Sequence, residues 1–309
     1  MNNFRYSTVV VNDEVATAVR EGRGVVALET TIVVQGLPQP INLEVAAQCE
    51  AAVRAGSSVP ATIGVLGGTL FVGLTSEQLT QLADPTRSSL KLSSRDLGLS
   101  VAMSRDGATT VAGTVSVATR VGIEVMATGG LGGVHRDAAT SFDESADLVA
   151  LSRTPVMVVA SGVKSILDIA ATLERLDTLG VPVVGYRTKQ FPGFYRSESG
   201  FPLEWSVTSP EDAASVFASH REFSSTGFLL ANPVHADAQL SEATHQMALE
   251  GALEKVHAQG VSGKDVTPVL LAEFARLTGG VSVEVNRELV VANARLAGEV
   301  ATALARLRG

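Results

Sequence analysis

The sequence predicts an α/β protein: a mostly parallel central sheet flanked by helices, with a small β-hairpin and a helical C-terminal part. Three observations lead there. Apolar bursts of four to seven residues recur along the chain as continuous runs, the pattern of strands covered on both faces. Segments with helical spacing stand between the bursts, which is the order of strand–helix–strand units. Several bursts also finish on residues able to do chemistry, as expected where a parallel sheet carries a site outside the carboxyl ends of its strands.

In chain order, "GVVALE" (Gly24–Glu29) reads as a strand. Residues Ile41–Gly56 follow as a helix, with Val45, Cys49, Ala52 and Val53 at helical spacing. "ATIGVLGGTLFVGL" (Ala61–Leu74) gives two strands around Gly67-Gly68, a hairpin signal. "SVATRVGIEVMATGG" joins the end of a helix, stopped at Gly122, to a strand. "PVMVVA", "SILDIAATLERLDTLG" and "VPVVGY" form a strand–helix–strand unit whose helix ends at Gly180. "GFLLANP" (Gly227–Pro233) is a further buried strand. From Leu240 to Leu307 the chain is Ala-rich and mainly helical, with Pro268 in a first helical turn and glycines at that helix's stop. The segment Gly185–Trp205 is long, aromatic and broken by prolines, a loop suited to a lid or a subunit contact.

With 45% hydrophobic and 18% charged residues in a chain of 309, a large core is expected and disorder is not. No break in composition divides the chain, so residues 1–309 are read as one domain. The net charge of −8, from 24 basic against 32 acidic residues, argues against a nucleic-acid partner. It leaves room for one phosphorylated small molecule, for which a few cations and backbone amides suffice. Cys49 is the only cysteine, so internal disulfides and cysteine zinc sites are excluded, and it is expected on an apolar helix face. No signal peptide is read at the N-terminus, and no apolar run reaches the roughly 18–20 residues that span a bilayer. A soluble, cytoplasmic protein without a membrane partner is expected.

The strand ends supply the candidate site. Glu29, Thr128 followed by glycines and His135, Lys164, and Asn232 all stand at or just beyond such ends. Lys164 follows "VMVVASGV", where burial disfavours the ammonium and favours the neutral amine, a nucleophile toward carbonyl carbons. A lysine that reaches solvent, or pairs with Asp168, is the alternative. Glu29, next to Leu28 and two threonines, is placed for proton transfer or for a structural role held by the threonine hydroxyls. In "FDESADL", Asp143 and Asp147 share a face if the segment is helical and could hold a hard divalent cation; acids at a helix N-terminus would look the same. "TGGLGGVH" stands where a phosphate-cradling loop would, though it matches neither the dinucleotide fingerprint nor the P-loop, and a bare glycine-rich turn is the alternative. Lys91, in "LKLSSRDL", is a candidate phosphate cation or a solvated lysine.

Taken together, "VALETTIVVQGLPQP", "KLSSRDL", "ATGGLGGVHRDAATSFDESADL", "VMVVASGVKSILD", "GYRTKQFPGFY", "GKDVTPVLLAEFARLTGG" and "ANARLAG" resemble the pseudouridine 5′-phosphate glycosidase family, also called the indigoidine-synthase-A-like family. The resemblance runs from about Val25 to Leu304. It implies an enzyme of the carbon–oxygen lyase (hydro-lyase) class that reversibly cleaves pseudouridine 5′-phosphate to uracil and ribose 5-phosphate, with Mn2+, in a homotrimer. By motif, Glu29 matches the proton-transferring glutamate, Lys164 the imine-forming lysine and Lys91 a second active-site lysine. Asp143 matches the metal-associated aspartate, and Ser145, Ala146 and Asp147 a substrate-binding stretch. Val111, Thr128, His135 and Asn286 match positions lining the family's site, with Asn293 near Asn286. The chain departs from the family pattern at Thr30, where serine is usual, and at Gln35, where histidine is usual.

The implied chemistry explains the lysine. A base joined to sugar through carbon leaves poorly, so the two-carboxylate glycosidase route is inadequate, and an imine supplies the missing driving force. A Schiff-base aldolase acting on another phosphosugar, or a non-catalytic phosphosugar-binding protein, are the competing readings.

Overall fold

The computed structural model describes residues 8–261 and 266–308. Residues 1–7, with which the reading of the N-terminus begins, lie outside it, as do residues 262–265, the last three of which open the quoted "GKDVTPV" stretch.

Eleven strands form one sheet among the described residues: β1 Val9–Val11, β2 Val25–Leu28, β3 Val59–Leu66, β4 Thr69–Val72, β5 Leu90–Leu92, β6 Gly107–Thr109, β7 Val125–Ala127, β8 Met157–Ala160, β9 Val183–Tyr186, β10 Trp205–Val207 and β11 Phe228–Ala231. Their order is β1-β4-β3-β2-β7-β8-β11-β9-β10. From β3 to β10 every pairing along that path is parallel. β3 changes partners halfway. Val59–Thr62 pair with β2, whereas Ile63–Leu66 pair antiparallel with β4 as the expected hairpin, and Gly64 and Val65 also pair with β6. β5 then joins β6 in parallel.

The continuous apolar runs are buried as their pattern predicts: every residue of β2, β7, β8 and β11 is buried. The helix Val281–Arg306 lies on β2, β7 and β8 and packs against the helices Ile41–Ala55 and Pro210–Phe223. Two glycines set its closeness. A Cβ on Gly298 would stand 2.6 Å from the Val53 carbonyl oxygen, and one on Gly56 would stand 2.7 Å from the Gly298 backbone. Only hydrogen fits at that crossing. Cys49 sits in the core as expected, where burial pushes its thiol up to about 12.

Elsewhere the structure refines the expectations. The helix after β8 begins at Ile169 rather than at Ser165, because Asp168 caps it: its Oδ1 accepts from Ala171 N at 2.9 Å. That capping role engages the carboxylate that a Lys164–Asp168 pair would have used. The Gly185–Trp205 segment is no free lid. Phe191, Phe194 and Tyr195 are buried, and Tyr195 stacks on Phe274 with centroids 5.3 Å apart. Among the described residues no helix is long and apolar enough to cross a membrane.

Candidate active site

Because the strands from β2 to β11 run parallel, their carboxyl ends open on one side of the sheet, and a cavity of about 330 Å³ lies there. Glu29, Lys91, Val111, Thr128, His135, Asp143, Ser145, Ala146, Asp147, Lys164 and Asn286 all line it. Thus eleven residues selected from the sequence, scattered from position 29 to 286, are brought to one surface. Asn232 is not among them; its amide is turned to Asn293 instead.

Glu29 leaves β2 at the cavity floor and is 8% exposed. Both carboxylate oxygens accept hydroxyl hydrogen bonds, Oε2 from Thr31 and Oε1 from Thr128. Its immediate neighbour Thr30 serves the fold: its hydroxyl donates to Ile63 O at 2.8 Å and accepts from Thr109 N at 2.9 Å. Thr31 directly precedes a π-helical turn, Ile32–Gly36, whose Ile32, Gln35 and Gly36 face the cavity. Such turns recur at functional sites. Gln35 Nε2 reaches Ser89 O at 3.5 Å, while its Oε1 is buried without a protein partner among the described residues.

Lys164 lies beyond β8, after the buried turn Ser161-Gly162-Val163. Gly162 has φ +81°, and a Cβ there would meet Pro192 O at 2.2 Å, so only glycine permits this turn under the Phe191–Tyr195 segment. The side chain of Lys164 is half-buried rather than dry, because it projects from the turn into the open cavity instead of from the strand itself.

The glycine-rich segment after β7 is a packing device on the cavity side. A Cβ on Gly130 would meet the Phe194 ring at 2.6 Å, on Gly132 the Ser145 Oγ at 2.3 Å, and on Gly133 the Thr172 Oγ1 at 2.4 Å. Asp147 pins it. Its Oδ2 accepts from Gly132 N at 3.0 Å and its Oδ1 from Ala112 N at 2.8 Å. The expected pairing of Asp143 with Asp147 on one helix face does not occur. Ser145 caps a helix that begins only at Ala146, so Asp143 lies before it, outside the helix. Asp143 faces His135 instead, Oδ2 to Nδ1 at 3.8 Å.

One end of the cavity suits an anion. Lys91, Ser93 and Arg95 stand beside the N-terminus of the helix Val111–Arg120, which Thr110 caps. Helix N-termini and cations together favour phosphate. Ser93 and Arg95 were not singled out from the sequence, although both stand in the "KLSSRDL" segment that was. Asn286, 5% exposed, lines the cavity with Oδ1 lacking a protein partner. Among the described residues no three His, Cys, Asp or Glu side chains converge as a metal cage.

Comparison with known proteins agrees with the geometry. A family profile described as indigoidine synthase A like protein matches residues 14–303. A pseudouridine-5′-phosphate glycosidase of Salinispora tropica is 55% identical over 94% of this chain and 90% of its own. One from Saccharopolyspora erythraea is 49% identical over 97% and 99%. Among solved structures, the prealnumycin C-glycosynthase AlnA in complex with ribulose 5-phosphate superposes with a TM-score of 0.89 at 39% identity, covering 97% of this chain and 98% of that one. An indigoidine synthase A-like protein of Thermotoga maritima gives 0.89 at 32% identity, covering 99% of each. By its matched length, its relatives and its fold, this chain belongs to the indigoidine synthase A-like family.

Proposed function

We propose that this protein reversibly cleaves the carbon–carbon glycosidic bond of pseudouridine 5′-phosphate to uracil and ribose 5-phosphate. The observation that carries the reading is the meeting of Glu29 and Lys164 on one cavity, with a cationic helix N-terminus at its side. The names of the relatives support it, as does the solved C-glycosynthase with its pentose phosphate.

In this reading Glu29 gives a proton to the sugar ring oxygen as the C1′–O4′ bond breaks. Loss of the uracil N1 proton to solvent leaves C1′ doubly bonded to the base. Lys164 adds to C1′ as the free amine and its surplus proton passes to N1, restoring the uracil ring. Protonation of uracil C5 then lets the C1′–C5 bond break while the lysine nitrogen lone pair forms the imine. Water hydrolyses the imine and frees ribose 5-phosphate, so one water is consumed per turnover. Lys91, Arg95 and the helix N-terminus at Val111 hold the phosphate.

Asp143 is the proposed anchor of a Mn2+ ion. Its carboxylate, 32% exposed, offers oxygen to a hard cation completed by water, a shell such ions accept. A bound ion would offset the negative charge of the substrate phosphate. The proposed assembly is a homotrimer, for which light scattering should return three times the 32.0 kDa chain mass.

The decisive measurement is uracil release from pseudouridine 5′-phosphate by chelator-treated protein, with and without added Mn2+. Release that depends on the ion is expected. Aldehyde release without uracil would favour an aldolase, and binding without turnover would leave only a phosphosugar-binding protein.

A further inference from the structure

Seven positions after Asn286, on the same helix face, Asn293 is fully buried. The two amides differ in kind. Asn286 has an acceptor left over for a ligand, whereas Asn293 spends its groups on protein. Its Nδ2 donates to Thr128 O at 2.8 Å and to Ser161 Oγ at 3.1 Å, with Gly129 O at 3.4 Å. Its Oδ1 accepts from Asn232 Nδ2 at 2.9 Å and faces Ser161 Oγ at 3.4 Å. One side chain therefore ties together the carboxyl ends of β7, β8 and β11. Thr128, held by its carbonyl, is the residue whose hydroxyl donates to Glu29.

From this arrangement we infer that Asn293 is a positioning residue that aims the Glu29 carboxyl through Thr128. Asn232 and Ser161 fix which way the Asn293 amide faces. With Oδ1 taken by Asn232, Nδ2 must point at the Thr128 carbonyl. Thr128 is thereby locked at both ends, backbone to the helix and hydroxyl to the acid. Asn293 does not touch the cavity, so its effect falls on the reaction step and not on substrate affinity. The inference rests on the reading of Glu29 as the acid.

Three variants test it: Asn293→Ala, Thr128→Val and the double variant, each assayed for uracil release. Asn293→Ala should lower kcat about 100-fold with KM within about threefold of wild type. In the Thr128→Val background the same change should cost no more than about threefold, because both act on one contact. Multiplying losses, or an unimpaired kcat, overturn the inference. If Asn293→Ala fails to fold, the half-buried Asn232→Ala releases the same amide and should lower kcat about tenfold, again only when Thr128 is present. A crystal structure of either folded variant gives a readout independent of substrate. Thr128 Oγ1 should leave Glu29, and an undisturbed contact refutes the positioning role whatever the activity. Wild-type protein that releases no uracil, with Thr128 displaced in the variant, instead counts against the proposed reaction alone.

Discussion

Replacing Lys164 with alanine is expected to lower uracil release by about 10⁴-fold or more, the scale on which loss of a covalent nucleophile acts. The cavity offers no ready substitute. Lys91 also lines it, but from β5, beside Ser93 and Arg95 at the anion end. Borohydride added during turnover should leave a ribose-phosphate adduct on wild-type protein at Lys164 and none on the variant. Arginine should not rescue, since a guanidinium stays charged and cannot form an imine. An alanine variant with wild-type turnover would dispose of the imine route.

Changing Glu29 to glutamine should cost about 10²–10⁴-fold in kcat, the usual range for a general acid, while leaving the fold intact. Glutamine matches the carboxylate in shape, and the Thr31 and Thr128 hydroxyls that now donate to it can rotate, one of them accepting from the new amide. What disappears is the transferable proton. Thermal melting should therefore stay close to wild type, and binding of ribose 5-phosphate should persist. A glutamine variant that keeps full turnover would mean that ring opening draws its proton from elsewhere.

The central strands were legible because burial on both faces leaves unbroken apolar runs, and β2, β7, β8 and β11 are wholly buried. Of the five three-residue strands only β7, placed by the helix stop at Gly122 before it, was legible; β1, β5, β6 and β10 were not, since so short a run carries no usable period. The π-helical turn at Ile32–Gly36 has no sequence signature either, although it shapes the cavity beside Glu29. The residues at strand ends were found because parallel topology gives them a common side. The pairing of Asp143 with Asp147, conditional on a helix through both, fails because the helix capped by Ser145 starts only at Ala146, three positions past Asp143. Asn293 went unrecognised as a tie between strands because its role exists only in three dimensions, with partners at positions 128, 161 and 232.

The helix Val281–Arg306 covers β2, β7 and β8 and delivers both Asn286 and Asn293. Of all the described elements, it is the last to emerge from the ribosome. Until it arrives, a nascent chain would hold an uncovered apolar sheet and an incomplete cavity, a stage prone to self-association. Activity should then switch on late and abruptly, as the finishing turns dock.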